Sequence, residues 1–597
     1  MRRTQLRVKT DQSAAKTRPS AVFPHQKQWI RASDYVAGHG EPDCGLYSLD
    51  SIVLGEKNSS ETKIKTSKSR DQRTFSYIPE IRRIQTESAA AKTSQKKENP
   101  LPIDHDWPST VFSHLNQWIN EYGTASFPPL ELKGPLCFLV KSVFVVLLDL
   151  FSRNSSSDKF STSLIWLRLG IHILHGPTFV YSTGKIQQLC TVDIDMVKEI
   201  SLCTSLSLGK PSYLSKDRGP LLGQSIFSAN GLIWSHQRKI IAPEFYMDKV
   251  KSMVSLMVDS TTTMVRSWES RIEGDGGMAE INIDLEIRNL SADIISRACF
   301  GSNYTKGEEI FLKLRNLQDA MSRGFIGIPG SKYIPNKNNW EIWKLEKEIN
   351  SMILRVVKER AAANYEKDLL QVILEGAKSY GDQESFPSHV SLDRFIVDNC
   401  KAIYFAGHET TAITASWCLM LLAANQEWQA RARAEVLEIC KDNLPDAGML
   451  RNMKTLTMVI QETMRLYPPV VFVIRTALQD LKFKGITIPK GMNIQIPIPI
   501  VQQNPDLWGA DAHQFNPRRF AKGIIGSSTS PQAYMPFGMG ARVCAGQHFA
   551  MAELKVIVSL ILSKFSFSLS PAYHHSPRFG LVVQPGNGVS LHIRRVS

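Results

Sequence analysis

Cys544 sits in the stretch FGMGARVCAG, residues 537–546, among three glycines and an arginine. It is one of nine cysteines, placed singly at 44, 137, 190, 203, 299, 400, 418, 440 and 544. No CxxC pair or zinc-type spacing occurs, and an odd, scattered set suits a reducing compartment. Taken alone, Cys544 is a small buried hydrophobe, half of a disulfide, or a thiolate ligand. Its companions favour the last. GQHFAMAELKVIVSLILSKF follows with apolar residues at helical spacing, so the cysteine stands at a helix N-terminus, where unpaired amides lower a thiol's pKa. Gly538 and Gly540 permit a tight turn that aims amides at the sulfur. Arg542 can pair with an anion beside it, and Gly546 lets a flat group approach the backbone.

Two further clusters carry chemistry. AGHETT, at 406–411, lies inside the longest helical pattern, residues 395–428. A glycine there costs about 1 kcal/mol relative to Ala, and Thr can bond back to the i−4 carbonyl and bend the helix. Gly407 with Glu409, Thr410 and Thr411 marks either a close helix contact or a polar notch where a small molecule meets a proton relay. Glu462 and Arg465, at i and i+3 in TLTMVIQETMRLYPP, share one helix face. At a surface such a pair is worth little; in the interior it needs further partners, and Arg519 in FNPRRF is a candidate. A thiolate, a nearby cation and a glycine platform together suit a haem iron bound through sulfur, with its propionates on the cation.

Elements must bring these clusters together. TFVYSTGKIQQLCTV predicts two strands around Thr183-Gly184, and long helical patterns run from there to about 475. A helix over 453–467 is stopped by Pro468-Pro469. Residues 480–500 and the last 30 residues read as short strands and turns. The expected fold is mainly α with small β-sheets, in one large domain. The 43% hydrophobic content supports a large core and is too low for a polytopic membrane protein. The net charge of +15 is concentrated: residues 1–100 hold about 19 Lys and Arg against about 11 Asp and Glu. No basic motif of a nucleic-acid binder accompanies it.

FGMGARVCAG resembles the cysteine-ligand loop of the cytochrome P450 superfamily, F-x-x-G-x-R-x-C-x-G. AGHETT resembles that family's oxygen-activating motif, Glu462-x-x-Arg465 with PRRF its E-x-x-R and P-x-R-F triad, and Trp234-x-x-x-Arg238 its haem-facing W-x-x-x-R. The four stand in the family's order. ACFGSNY, VDNCKAIYFAGHETTA and TMVIQETMRLYPP look like the plant 72 clan, and most like its 714 branch, which oxidises gibberellins and related diterpenoids.

The resemblance implies a cytochrome P450 fold, b-type haem with Cys544 as axial thiolate, and electrons from NADPH through a cytochrome P450 reductase. It implies that Glu409 and Thr410 relay protons and that Gly407 makes room for O2. Trp234, Arg238, Arg475 and Arg542 would hold the propionates, with Phe537 and Gly546 beside the ring. The substrate face would come from 209–232, Phe405-Ala406, Val470–Val473 and Leu581–Val583. The reaction is expected to be hydroxylation or epoxidation of an apolar metabolite, a gibberellin or related diterpenoid; a triterpenoid or cytokinin substrate, or an inactive product of a misassembled gene model, are the alternatives. A hydroperoxide isomerase is disfavoured by Glu409 and Thr410.

The chain also departs from the family. Residues 1–75 are polar, basic and without apolar period, and read as a disordered segment in place of the usual membrane anchor. The resemblance places the protein on the cytosolic face of the endoplasmic reticulum membrane, yet the two apolar patches at 134–174 lack about 20 uninterrupted apolar residues. The haem domain, 76–597, carries an atypical insertion at about 124–176, read as translated non-coding sequence or a true loop insertion.

Overall fold

The computed structural model describes residues 176–596, apart from 184–185, 205, 302–303, 324–332, 363–367 and 382–390. The expected disordered segment 1–75 and the insertion at 124–176, save its last residue, lie outside the described residues. Strand β1 (Thr178–Thr183) pairs antiparallel with β2 (Ile186–Thr191), as the sequence predicts. Helix α1 (Ile194–Leu202) starts where Asp193 accepts the amides of Asp195 and Met196, each at 3.1 Å. Strand β3 (Leu208–Gly209) leads through two short helical turns, Ser212–Lys216 and Gly219–Leu222, to α2 (Gly231–Ile241). The long α3 (Met247–Gly274), β4 (Met278–Asn282), α4 (Ile283–Phe300), α5 (Tyr304–Ser322), α6 (Lys337–Ala362) and α7 (Leu369–Gly381) follow.

Helix α8 (Leu392–Ala424) is apolar on almost every face, the pattern of a helix with no solvent side. It packs against α4, α7, α10 and α11. The pattern read as 395–428 is two helices: Asn425 bonds back to the Leu421 carbonyl, and α9 (Gln426–Cys440) starts afresh. Helix α10 (Lys454–Leu466) ends before the prolines. Strands β5 (Phe472–Ala477), β6 (Leu481–Phe483), β7 (Ile486–Ile488) and β8 (Asn493–Pro497) come next, then α11 (Gln547–Lys564). The chain closes with β9 (Phe565–Leu569), β10 (Pro577–Phe579), β11 (Val583–Pro585) and β12 (Ser590–Arg595).

The largest sheet runs β1-β2-β8-β5-β3, with only β2 and β8 parallel; a second runs β4-β12-β9. The helices form one large hydrophobic cluster and the first sheet, with α1, a smaller one. The site lies between them. Among the described residues no helix is long and apolar enough to cross a membrane.

Candidate functional site

Five parts of the chain wall most of a cavity of about 1130 Å³: the 210–245 region, the middle of α8, β5 with its approach, the 536–554 loop and helix, and residues 578–582. Cys544 lines it. The turn that places it needs its glycines: Gly538 and Gly540 have φ of +74° and +67°, and a Cβ on Gly540 would lie 2.8 Å from the Ser201 carbonyl. The Cys544 amide donates to the Phe537 carbonyl at 2.8 Å, closing the loop. Although deep in the fold, Cys544 is exposed, because its open side faces the cavity.

The expected depression of this thiol's pKa is not found. Burial pushes it up, and the Gly546 amide and Arg238 only partly oppose that. A helix N-terminus cannot outweigh desolvation of the charged form here.

A ring of cations lines the same cavity. Arg238 donates to the Val543 carbonyl at 2.7 Å, next to Cys544. Arg475 donates to the Met539 carbonyl at 2.9 Å. The Arg542 guanidinium lies 4.3 Å from the Trp234 ring centre and donates to Asn230 Oδ1 at 2.9 Å. Lys210, which sequence reading missed, joins them; Asn230 fixes its backbone from both sides, at 2.7 and 2.8 Å. Burial, then Arg475 and Arg238, push Arg542 down to about 9; burial pushes Arg475 down to about 10. Lys210 is held well below its usual range by burial and by these two arginines. Guanidinium does not lose its proton in proteins, so these depressions register positive charge without a compensating anion. No carboxylate is found among the described residues lining the cavity, and Arg542 Nη1 is buried without a hydrogen-bond partner among them.

Those facts allow a test of whether a planar iron macrocycle with two acid arms fits. The cations and the orphaned Nη1 suit the arms. Gly546 has an ordinary φ of −90°, and a Cβ there would meet no atom, so what its bareness keeps clear is the cavity. Among the described residues no group of three His, Cys, Asp or Glu gathers to hold a metal, so Cys544 suits a metal that brings its other donors with it. The donor set fits.

Across α8 the expectations divide. Of the α8 residues that line the cavity, Ala406, Gly407 and Thr410 are the ones not buried, and Thr410 Oγ1 donates to the Ala406 carbonyl at 2.8 Å. Gly407 lines the cavity, and a Cβ there would lie 2.6 Å from Ile295 Cδ1 of α4, so its bareness also serves close helix packing. Glu409 does not line the cavity. It points the other way, 1% exposed, and pairs with Arg288 of α4, which also donates to Asp284 Oδ2 and Gln584 Oε1, each at 3.0 Å. Burial alone would raise the Glu409 carboxyl; Arg288 and His408 outweigh it and hold it low. Sequence reading missed Arg288. Its only local signal is Asp284 at i−4, which looks like a surface pair.

Glu462 and Arg465 are fully buried. Arg465 donates to both Glu462 oxygens, at 2.6 and 2.7 Å, and to the carbonyls of Gln502, Ala512 and Gln514, so all five N–H groups are used. Arg519 approaches Glu462 Oε1 at 3.4 Å. This knot anchors the segment leading to the Cys544 loop. Of the expected substrate face, Phe405, Ala406, Val470–Val473, Leu581 and Val582 line the cavity. Val583 does not; its carbonyl accepts Trp417 Nε1 at 3.2 Å.

Comparison with known proteins follows the same residues. A family model described as Cytochrome P450 matches residues 170–592. The chain is 51% identical over 453 residues to cytochrome P450 714C2 of Oryza sativa subsp. japonica, covering 75% of the chain and 85% of that protein. It is 50% identical over 426 residues to cytochrome P450 714B3 of Zea mays, with coverages of 71% and 78%. To cytochrome P450 714A2 of Arabidopsis thaliana it is 45% identical over 455 residues, covering 74% and 86%.

Proposed function

The chain belongs to the cytochrome P450 family of haem-thiolate monooxygenases, and from that premise we propose that it oxidises a gibberellin or related diterpenoid, with NADPH electrons delivered by a reductase at the endoplasmic reticulum membrane. Cys544 would hold the haem iron through its sulfur. Arg238, Arg475, Arg542 and Lys210 would hold the two propionates, with Trp234 stacked behind Arg542 and Phe537 and Gly546 beside the ring. When bound, the haem supplies activation of O2, and donation from the sulfur favours O–O cleavage.

The chain's own residues do the rest. The Thr410 hydroxyl is the proton-handling group: of Thr410, Thr411 and Thr414 on the cavity wall, it is the one not buried. Glu409 reaches that side only by leaving Arg288. The 406–410 surface of α8 and the apolar side chains Phe405, Val471, Leu581 and Val582 exclude water around the substrate.

The observation that carries the reading is one cavity lined by Cys544, by a cation ring without carboxylates, and by Thr410. For the substrate, the support is the apolar lining at Phe405, Val471, Leu581 and Val582, which suits a hydrocarbon skeleton better than a polar purine. Arg578 of β10, exposed and on the cavity wall, can meet a carboxylate. The test is turnover of gibberellins and their diterpenoid acid precursors by the full chain with reductase and NADPH. Products heavier by one oxygen atom support the reading. Turnover of triterpenoids or cytokinins alone would replace the substrate assignment.

A further inference from the structure

Residues 219–228 form one wall of the cavity through Leu222, Ile226 and Phe227. Beyond the single turn Gly219–Leu222 this wall has no regular structure to hold its shape. Helix α8 supplies what is missing. Asp398 Oδ2 accepts the Gln224 amide at 2.8 Å, and Asn399 Oδ1 accepts the Ile226 amide at 3.0 Å. Lys401 Nζ donates to the Pro220 carbonyl at 3.2 Å and pairs with Asp398 Oδ1 at 3.1 Å. The three residues are 2%, 0% and 1% exposed. Gly223 lies against this group with φ +49°; a Cβ there would stand 2.0 Å from Asp398 Cγ.

A buried Asp–Lys pair is a poor way to gain stability, because desolvation offsets its attraction. Apolar residues could fill that space. Charged and amide groups add directed bonds to the backbone of a segment that lacks its own. The residues that follow on α8, Ala402, Ile403, Phe405 and Ala406, line the same cavity. One helix therefore both floors the cavity and fixes the position of its neighbouring wall. Gln237 of α2 holds the segment from outside, donating to the Gln224 carbonyl at 2.7 Å.

We propose that Asp398, Asn399 and Lys401 form a clamp that sets the shape of the 219–228 wall, making them positioning residues for substrate selection. The proposal rests on the reading of this cavity as the substrate site. It does not place any of the three in contact with substrate.

The test uses the full-length protein and the variants Asn399→Ala and Gly223→Ala, both of which keep the Asp–Lys charges. Residue-resolved hydrogen exchange reads the clamp directly, with or without haem. Wild type should protect the Gln224 and Ile226 amides, and each variant should lose about tenfold protection at the amide it disturbs. Two iron-binding azoles then read the wall: affinity for bulky clotrimazole should change about fivefold or more, while that for imidazole stays within about twofold. Fast exchange of both amides in wild type overturns the clamp, as do unchanged exchange and an unchanged azole ratio in the variants. Absence of azole binding in wild type counts against the haem reading, and the exchange data still decide the clamp.

Discussion

Glu409 and Arg288, 121 residues apart, form an ion pair inside the protein, 1% and 4% exposed on their side chains. The pair joins α4 to α8 directly behind the cavity surface made by Ala406, Gly407 and Thr410. It makes the acid of AGHETT a structural anchor in this conformation and leaves Thr410, of the Glu409-Thr410 pair, as the member on the cavity.

Arg288 should therefore be costly to remove. Arg288→Leu leaves Glu409 buried without its cation, a loss of about 3–5 kcal/mol in denaturant unfolding. Glu409→Gln should cost less, because Arg288 keeps Asp284 and Gln584. An equal cost for both would contradict the assignment of Arg288 as the residue that stabilises the ionised acid.

The cation ring makes a prediction of opposite sign for the haem-free and haem-loaded forms. Lys210, Arg475 and Arg542 repel one another across the cavity. Lys210→Met should stabilise the haem-free protein and weaken retention of haem, read as faster haem transfer to apomyoglobin. Slower transfer, or none of the stabilisation, would remove Lys210 from the ring.

Glu553 of α11 gives a pH dependence. Burial raises its carboxyl to about 8, and the hydrogen bond from Ser291 at 2.6 Å opposes that only in part. Near pH 4 both folded and unfolded states hold the proton. As pH rises past about 4.3, the unfolded state ionises and the folded state does not until about 8, so stability is lost across that window. Glu553→Gln lacks this loss. Its stability relative to wild type should climb between pH 5 and 8, by on the order of a few kcal/mol. A flat difference across that range would show Glu553 ionised in the fold.

Much of this architecture was legible because its signals are local. The glycines around Cys544, the prolines after Tyr467 and the strand pair at 178–191 each follow from residue type and spacing. The break at Asn425 was not, since the apolar period runs across it and the capping bond is a single side chain. The Cys544 thiol was read in the wrong direction because burial outweighs the helix terminus, and burial is a property of the assembled fold. Lys210 and Arg288 carry no motif. They become visible only when β3 pairs with β5, the strand of Arg475, and α4 packs on α8. Gly407 carries two readings, a close helix contact and a place on the cavity, and the fold shows both features: Ile295 approaches it, and it lines the cavity.

The central claim is that Cys544 binds haem iron as a thiolate, and the carbon monoxide difference spectrum of the reduced full-length protein tests it most directly. The account predicts a Soret band near ~450 nm, abolished in Cys544→Ala while hydrogen exchange shows that variant still folded. A band that survives in Cys544→Ala, or a folded wild type that takes up no haem, would contradict it.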